Sequence, residues 1–270
     1  MSSASTITTM LSYDFVLRAF AASGIVALVA GAVGWFLVVR GQTFAGHALS
    51  HVGFAGATGA ALVGAPPLAG MLVFTLLAGA AMGLLAERIS GRDVAIGIVL
   101  ALALGFGLLF ISLNRSTTLQ ATSILFGNVL AVSPEMLVIL AILGVAALAA
   151  LAFLSRPLLF ATLQPELAEA RGVSPRLVGV LFLVVAALAV AQSVQIVGVL
   201  LVFALMVGPP ATAQLLTARA LPGIALSSGL AVAAAWLGIV LAWHTDWPTG
   251  FAIVAVSSLV YFAALAIRRR

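Results

Sequence analysis

The chain has 270 residues, of which 64% are hydrophobic and 7% charged, and its formal net charge is +5. A water-soluble domain of this length has no use for so much apolar surface, so the composition fits a polytopic helical membrane protein. Every basic residue is arginine, set singly between apolar runs apart from the terminal Arg268-Arg269-Arg270, with no basic stripe or aromatic platform, which argues against nucleic acid as a partner. There is no cysteine, which excludes disulfides and thiolate metal ligands.

Residues 1–13 form a polar, Ser/Thr-rich tail, and the first 17 residues hold no Lys or Arg, so no cleavable signal peptide is expected. Apolar runs follow at about 15–39, ending at Arg40, and from His47 to Gly64. Ala65-Pro66-Pro67 makes a turn, because proline lacks an amide donor and biases its predecessor away from helix. Further runs cover about 68–86 and 94–113, separated by the polar stretch Glu87 to Asp93. Residues 116–134 are too short and too polar for a confident span; Ile124 to Val129 reads as a partial helix, tolerable only under a cover of protein or in a water-filled cavity.

A fifth span is expected from Met136 to Ser155, followed by a polar interval from Arg156 to Arg176. Residues 177–208 are too long for one crossing of a ~30 Å core at ~1.5 Å per residue. Gln192-Ser193-Val194-Gln195 is taken as the break, with the second span ending at Gly208-Pro209-Pro210. The last two spans cover about 223–243 and 249–267. No domain boundary or internal repeat is visible, so residues 1–270 read as one transmembrane domain, all-α, with eight or nine spans. With the C-terminal arginines in the cytoplasm, most other arginines also fall inside and the Trp243–Trp247 region falls outside, as the positive-inside rule requires. That count gives nine crossings, or eight if one short segment is re-entrant.

The stretch Gly46 to Gly56 holds two of the three histidines, His47 and His51. At 100° per residue these share a helix face with Thr58, while Gly53, Gly56, Ala60 and Gly64 lie roughly opposite. One face offers imidazoles to a passage; the other packs closely on a neighbour. Ionisable groups at membrane depth are costly and therefore functional candidates, although a neutral histidine packed near a helix start is the plainer alternative. Gln192 and Gln195 line the passage or else cap a turn between helices. His244 reads as part of an outer loop.

Catalysis is not expected. A P-loop needs a lysine, no HExxH occurs, and the acidic residues all lie at segment ends. A proton-coupled carrier usually keeps Asp or Glu inside its spans, so the energy is expected from a partner. The polar interval offers a docking place, or is an ordinary solvated connector. Within Gln164 to Val173, Pro165 suits a first helical position, Glu166 and Glu169 complement the amino end, and Arg171 with Gly172 ends the helix.

Four motifs in order then resemble the membrane permeases of zinc- and manganese-importing ABC transporters, over nearly the whole chain. They are Gly46-His47-Ala48-Leu49-Ser50-His51; Leu125-Phe126-Gly127-Asn128; Gln164 to Gly172; and Gln192-Ser193, Val197-Gly198 and Pro209-Pro210-Ala211-Thr212-Ala213. The resemblance implies an importer permease in a bacterial inner membrane that binds no ATP and holds no permanent cofactor. It implies a cytoplasmic ATP-binding subunit, an extracytoplasmic metal-binding protein and a second permease copy as partners. It also implies that His47 and His51 coordinate the ion in transit and that Pro165, Glu166, Leu167, Ala168, Arg171 and Gly172 couple to the ATPase, with Leu167 and Ala168 at the contact. His47 stands where the family has Asp, and Ala55 where it has Pro. Imidazole suits zinc, copper and nickel, whereas manganese prefers oxygen, so zinc is favoured. Manganese or iron import is the alternative within the family, and a self-sufficient channel or carrier the alternative outside it.

Overall fold

A computed structural model describes residues 10, 12–85, 92–113 and 124–268. The tail up to residue 9, most of the polar stretch from Glu87, Arg115, residues 117–120 and the last two arginines lie outside the described residues, and so do the expectations placed on them.

The described chain is helical throughout its regular structure: α1 (Asp14–Val39), α2 (Thr43–Leu62), α3 (Pro67–Leu85), α4 (Arg92–Leu113), α5 (Pro134–Leu163), α6 (Pro165–Ala170), α7 (Pro175–Val197), α8 (Val199–Leu216), α9 (Ala220–Thr245) and α10 (Thr249–Arg268). Four of them open on proline, whose missing amide costs nothing in a first turn. Two of these four are also capped: Ser133 accepts from the Met136 amide at 3.2 Å and Ser174 from the Leu177 amide at 3.3 Å. Among the described residues, seven helices (α1, α3, α4, α5, α7, α9 and α10) are long and apolar enough to cross a membrane. The apolar stretch of α8 is shorter, and α2 has spanning length with a less apolar, Gly/Ala/His-rich sequence; counting one or both gives the eight or nine crossings expected from the sequence.

Helix α1 is buried along most of its length. Neighbouring side chains donate to its backbone carbonyls: Ser227 to Gly31 at 2.7 Å, Ser228 to Leu28 at 3.0 Å, the Trp236 indole to Phe20 at 3.0 Å and Gln214 to Trp35 at 3.2 Å. Lipid tails are as apolar as leucine, so such hydrogen bonds and close packing hold the helices together.

Several boundaries differ from those read in the sequence. Helix α5 does not stop at Ser155 but runs through Pro157 to Leu163. The α7–α8 break is not at Gln192–Gln195, whose backbone stays helical; it is at Gly198, where φ is +82°. A glutamine side chain leaves the helical ladder intact, whereas a left-handed residue ends it, and glycine adopts that conformation freely. Helix α8 likewise continues through Pro209 and Pro210 to Leu216. Each proline removes an amide that would reach back four residues, to Leu205 and Met206. The Thr212 hydroxyl donates to the Gly208 carbonyl at 2.9 Å in the same turn. Gly34 of α1 lies against the Met206 carbonyl so closely that a Cβ there would overlap it.

The expected partial helix is one helical turn at 124–126, followed by irregular chain to Ser133. Gly127 (φ +72°) meets the backbone of Gly198, and a Cβ on either glycine would overlap the other segment. The α7–α8 elbow is therefore buried beneath 124–128, with Val197, Val199 and Val202 inaccessible.

The small-residue face of α2 packs as expected, except at one position. Gly56 crosses Gly70 of α3 at backbone contact, Gly53 lies beside Thr75 and Val194, and Gly59 beside Phe110 of α4. Gly64 packs on nothing: it is a turn residue with φ +72°. Overpacking a close crossing typically costs ~1–3 kcal/mol. Gly56→Val should therefore lower the melting temperature and yield of the purified chain. Gly97→Ala, at a position with no atom near its would-be Cβ, should leave both unchanged. Equal melting of the two variants would contradict the crossing.

Candidate functional site

His47 and His51 lie in the second and third turns of α2. Their ring centroids are 4.8 Å apart with the planes at 81°, one edge-on to the other. Both residues are half-buried. Phe203 of α8 meets His47 edge-on at 5.1 Å, and Phe44 stacks on its other side at 6.4 Å. The aromatic rings confine the imidazole without using its nitrogens. His47 Nδ1 is buried and has no hydrogen-bond partner among the described residues. The Ser50 hydroxyl, which is close by, is spent on the His47 carbonyl at 2.7 Å.

The pair is thus brought together as the helical spacing predicted, with nitrogens available to a ligand. Two imidazoles do not complete a metal site. Among the described residues no group of three or more His, Asp or Glu is placed to hold an ion. Further donors have to come from water or from another chain.

The other pathway candidates separate. Thr58 lies on the histidine face but is buried, and its hydroxyl donates to the Phe54 and Ala55 carbonyls of its own helix at 3.1 and 3.0 Å. Gln192 is 0% exposed, and neither its amide oxygen nor its nitrogen has a partner among the described residues. It faces Gly144 of α5. Gln195 Oε1 is also buried without a partner. Gln195 borders a cavity of 300 Å³ with Asn128, Ser133 and Met71, beside the irregular segment that covers the α7–α8 elbow. Unpaired buried amides are costly, and these two glutamines differ in that from buried hydroxyls such as Thr58, Thr75 and Ser193, which bond to carbonyls of their own helices.

The coupling candidates form the short helix α6. Pro165 is its first residue, Glu166 lies in its first turn, Arg171 caps it and Gly172 (φ +79°) ends it, all as the sequence implied. Leu167 and Ala168 do not share an environment. Leu167 is 43% exposed, while Ala168 is fully buried within the chain. The reason is the helical repeat: one flank of so short a helix must rest on the body, and Ala168 is the residue that does so. Its carbonyl accepts the Val173 amide at 2.9 Å and closes the turn. An outward contact at this helix therefore falls to Leu167 and not to Ala168.

Sequence reasoning missed two side chains. Phe203 gives no signal in the sequence, because one phenylalanine in an apolar helix is unremarkable. Arg40 reads only as a topology marker, yet its guanidinium is tied to α5 and packed on α7.

A bundle of this kind, of long apolar helices with a buried helical elbow and a short exposed helix between two long ones, is that of a multi-pass membrane protein. The chain belongs to the ABC 3 transport family, whose model matches residues 12–268. It is 32% identical over 256 residues to the manganese transport system membrane protein MntC of Halalkalibacterium halodurans, covering 94% of this chain and 88% of that one. It is 32% identical over 256 residues to the chelated iron transport system membrane protein YfeC of Yersinia pestis, covering 94% and 86%. Among solved structures it is similar to PsaBC from Streptococcus pneumoniae in complex with Fab, with a TM-score of 0.86 and 29% identity over 98% of this chain and 95% of that one. The resemblance drawn from the four motifs is borne out, and the chain is a permease subunit of this family.

Proposed function

We propose that this chain is the membrane permease of an ATP-driven importer of a divalent transition-metal ion, with zinc favoured. The observation that supports the reading is the His47–His51 pair: two half-buried imidazoles 4.8 Å apart on one face of α2, with a buried nitrogen that no group among the described residues uses. A dication cannot cross a ~30 Å hydrocarbon layer bare, because its desolvation costs tens of kcal/mol. Imidazoles replace part of the lost water. A two-fold pairing of permeases brings a second pair towards the axis, and zinc accepts four nitrogens at about 2.0–2.1 Å. Such a neutral site leaves the ion's charge uncompensated and holds it loosely, as transport requires.

The relatives named for manganese and for chelated iron support the second reading, a manganese or iron cargo. Softness of the ligands favours the first reading: His47 supplies nitrogen where a carboxylate would suit manganese better. The partners in this reading are a separate cytoplasmic subunit that hydrolyses ATP, an extracytoplasmic metal-binding protein and a second permease copy. The C-terminus and α6 face the cytoplasm.

In cells lacking other importers, His51→Ala should abolish zinc accumulation at normal protein level, and His47→Asp should keep transport while shifting preference towards manganese. Full zinc uptake by His51→Ala would remove the pair from the pathway. Leu167→Asp should separate the ATPase from the permease or leave hydrolysis without uptake; intact assembly and uptake would refute docking at α6. The chain has no cysteine, so Thr245→Cys makes a single thiol at the end of α9. It should react with a membrane-impermeant reagent in intact cells, and protection until lysis would reverse the orientation.

A further inference from the structure

We infer that Arg40 is a positioning residue for transport: it joins the base of the coupling helix α6 to the start of the histidine helix α2, so that motion at one reaches the other. The inference rests on the transport reading above.

Arg40 caps the C-terminus of α1, its amide bonded to the Phe36 carbonyl at 3.0 Å. From there its side chain reaches three other elements. The Nη1 group donates to Thr162 Oγ1 of α5 at 2.6 Å, and that hydroxyl donates onward to the Leu158 carbonyl at 2.5 Å. The Nε group donates to Gln42 Oε1 at 3.1 Å. The guanidinium carbon lies 5.7 Å from the centroid of the Phe182 ring of α7, within cation–π range. One turn earlier on α7, Gly179 leaves the guanidinium its space: a Cβ there would sit 3.4 Å from Nη2.

The two hydrogen-bond partners are placed at the ends of the elements that matter. Thr162 lies in the last turn of α5, two residues before Gln164, which caps both α5 and α6. Gln42 is the N-cap residue of α2, a little over one turn before His47, and its side chain is nearly inaccessible. A displacement of α6 moves Thr162, Thr162 holds Arg40, and Arg40 holds Gln42. The contacts are continuous, and each is a hydrogen bond to a charged group, which is stronger and more directional than a neutral one. The junction is not packed solid. A cavity of 360 Å³ adjoins it, lined by Arg40, Gln42, Thr162, Pro165 and Gly179, so the guanidinium has room to shift as α6 moves.

A guanidinium suits this role better than an ammonium. It presents several N–H groups in a fixed plane and serves Thr162 and Gln42 together while its face rests on the Phe182 ring. Lysine delivers the charge but meets one partner at a time.

The test uses the complete transporter, permease with its ATPase and metal-binding protein, in proteoliposomes supplied with zinc. It reads zinc taken up per ATP hydrolysed. Arg40→Gln should lower this ratio about tenfold while hydrolysis continues, the scale set by losing a charged hydrogen bond. Thr162→Val keeps the arginine and the side-chain volume and removes only the acceptor, and it should lower the ratio in the same direction. Arg40→Lys should recover an intermediate ratio. Three results overturn the inference: ratios within a factor of two of the unaltered complex for Thr162→Val and Arg40→Gln, equal ratios for Arg40→Lys and Arg40→Gln, or uptake that falls only in proportion to the amount of assembled complex. Absence of ATP-driven uptake of zinc by the unaltered complex is a separate result that overturns the zinc reading of the cargo.

Discussion

The backbone contact between Gly56 of α2 and Gly70 of α3 is the constraint on which the candidate site depends. Within a membrane, apolar side chains gain little by leaving lipid, so helices are fixed by how closely their surfaces meet. Gly56 and Gly70 meet with no side chain between them, which sets both the distance and the rotation of α2. Gly53 against Thr75 and Val194, and Gly59 against Phe110, repeat the constraint one turn away on each side. Because 3.6 residues make a turn, fixing these glycines inward on α3, α4 and α7 turns His47 and His51 towards Phe203 of α8. The imidazoles are thus aimed by residues that never touch them.

A second demand of the membrane shapes the rest: every backbone polar group has to be satisfied or covered. Helix α8 violates regularity twice, at Gly198 where it begins and at Pro209-Pro210 within it, and both places are enclosed by protein. Residues 124–128 lie over the first, through glycines that admit backbone-to-backbone contact. Gly34 of α1 lies over the second. An irregular segment at an elbow is also where a helix pair can hinge at low cost, and the polar Gln195 borders the cavity beside that elbow. The helix that carries Phe203 against His47 is therefore the one with the most interrupted backbone. At the amino end of α2, just before His47, Arg40 ties the α1–α2 elbow to the base of α6.

Much of this was legible in the sequence, for physical reasons. Apolar length identifies spans, Pro66-Pro67 marks a turn, and Pro165 with Gly172 delimits a helix of six residues, because these signals act locally. The histidine face was legible because helical spacing alone places residues four apart together. The boundaries at Ser155, Gln192–Gln195 and Gly208–Pro210 were misplaced because polarity and proline were taken as stops. In a membrane bundle a neighbouring helix or a threonine hydroxyl can absorb the freed carbonyls, so the helix continues. Ala168 was misassigned outward because a short helix shows its docking side only once the body beneath it is known. Arg40 was hidden for the same reason: its partners are Thr162 and Phe182, far away in sequence.

The central claim is that His47 and His51 are ligands of the transported ion. It is tested most directly by the zinc K-edge X-ray absorption spectrum of the transporter loaded with zinc and held in mid-cycle by an ATPase subunit unable to hydrolyse ATP. The account predicts a first shell of nitrogen at about 2.0–2.1 Å with the outer-shell scattering of imidazole rings, lost when both histidines are replaced by alanine. An oxygen-only shell, or a spectrum unchanged by the double replacement, would contradict it.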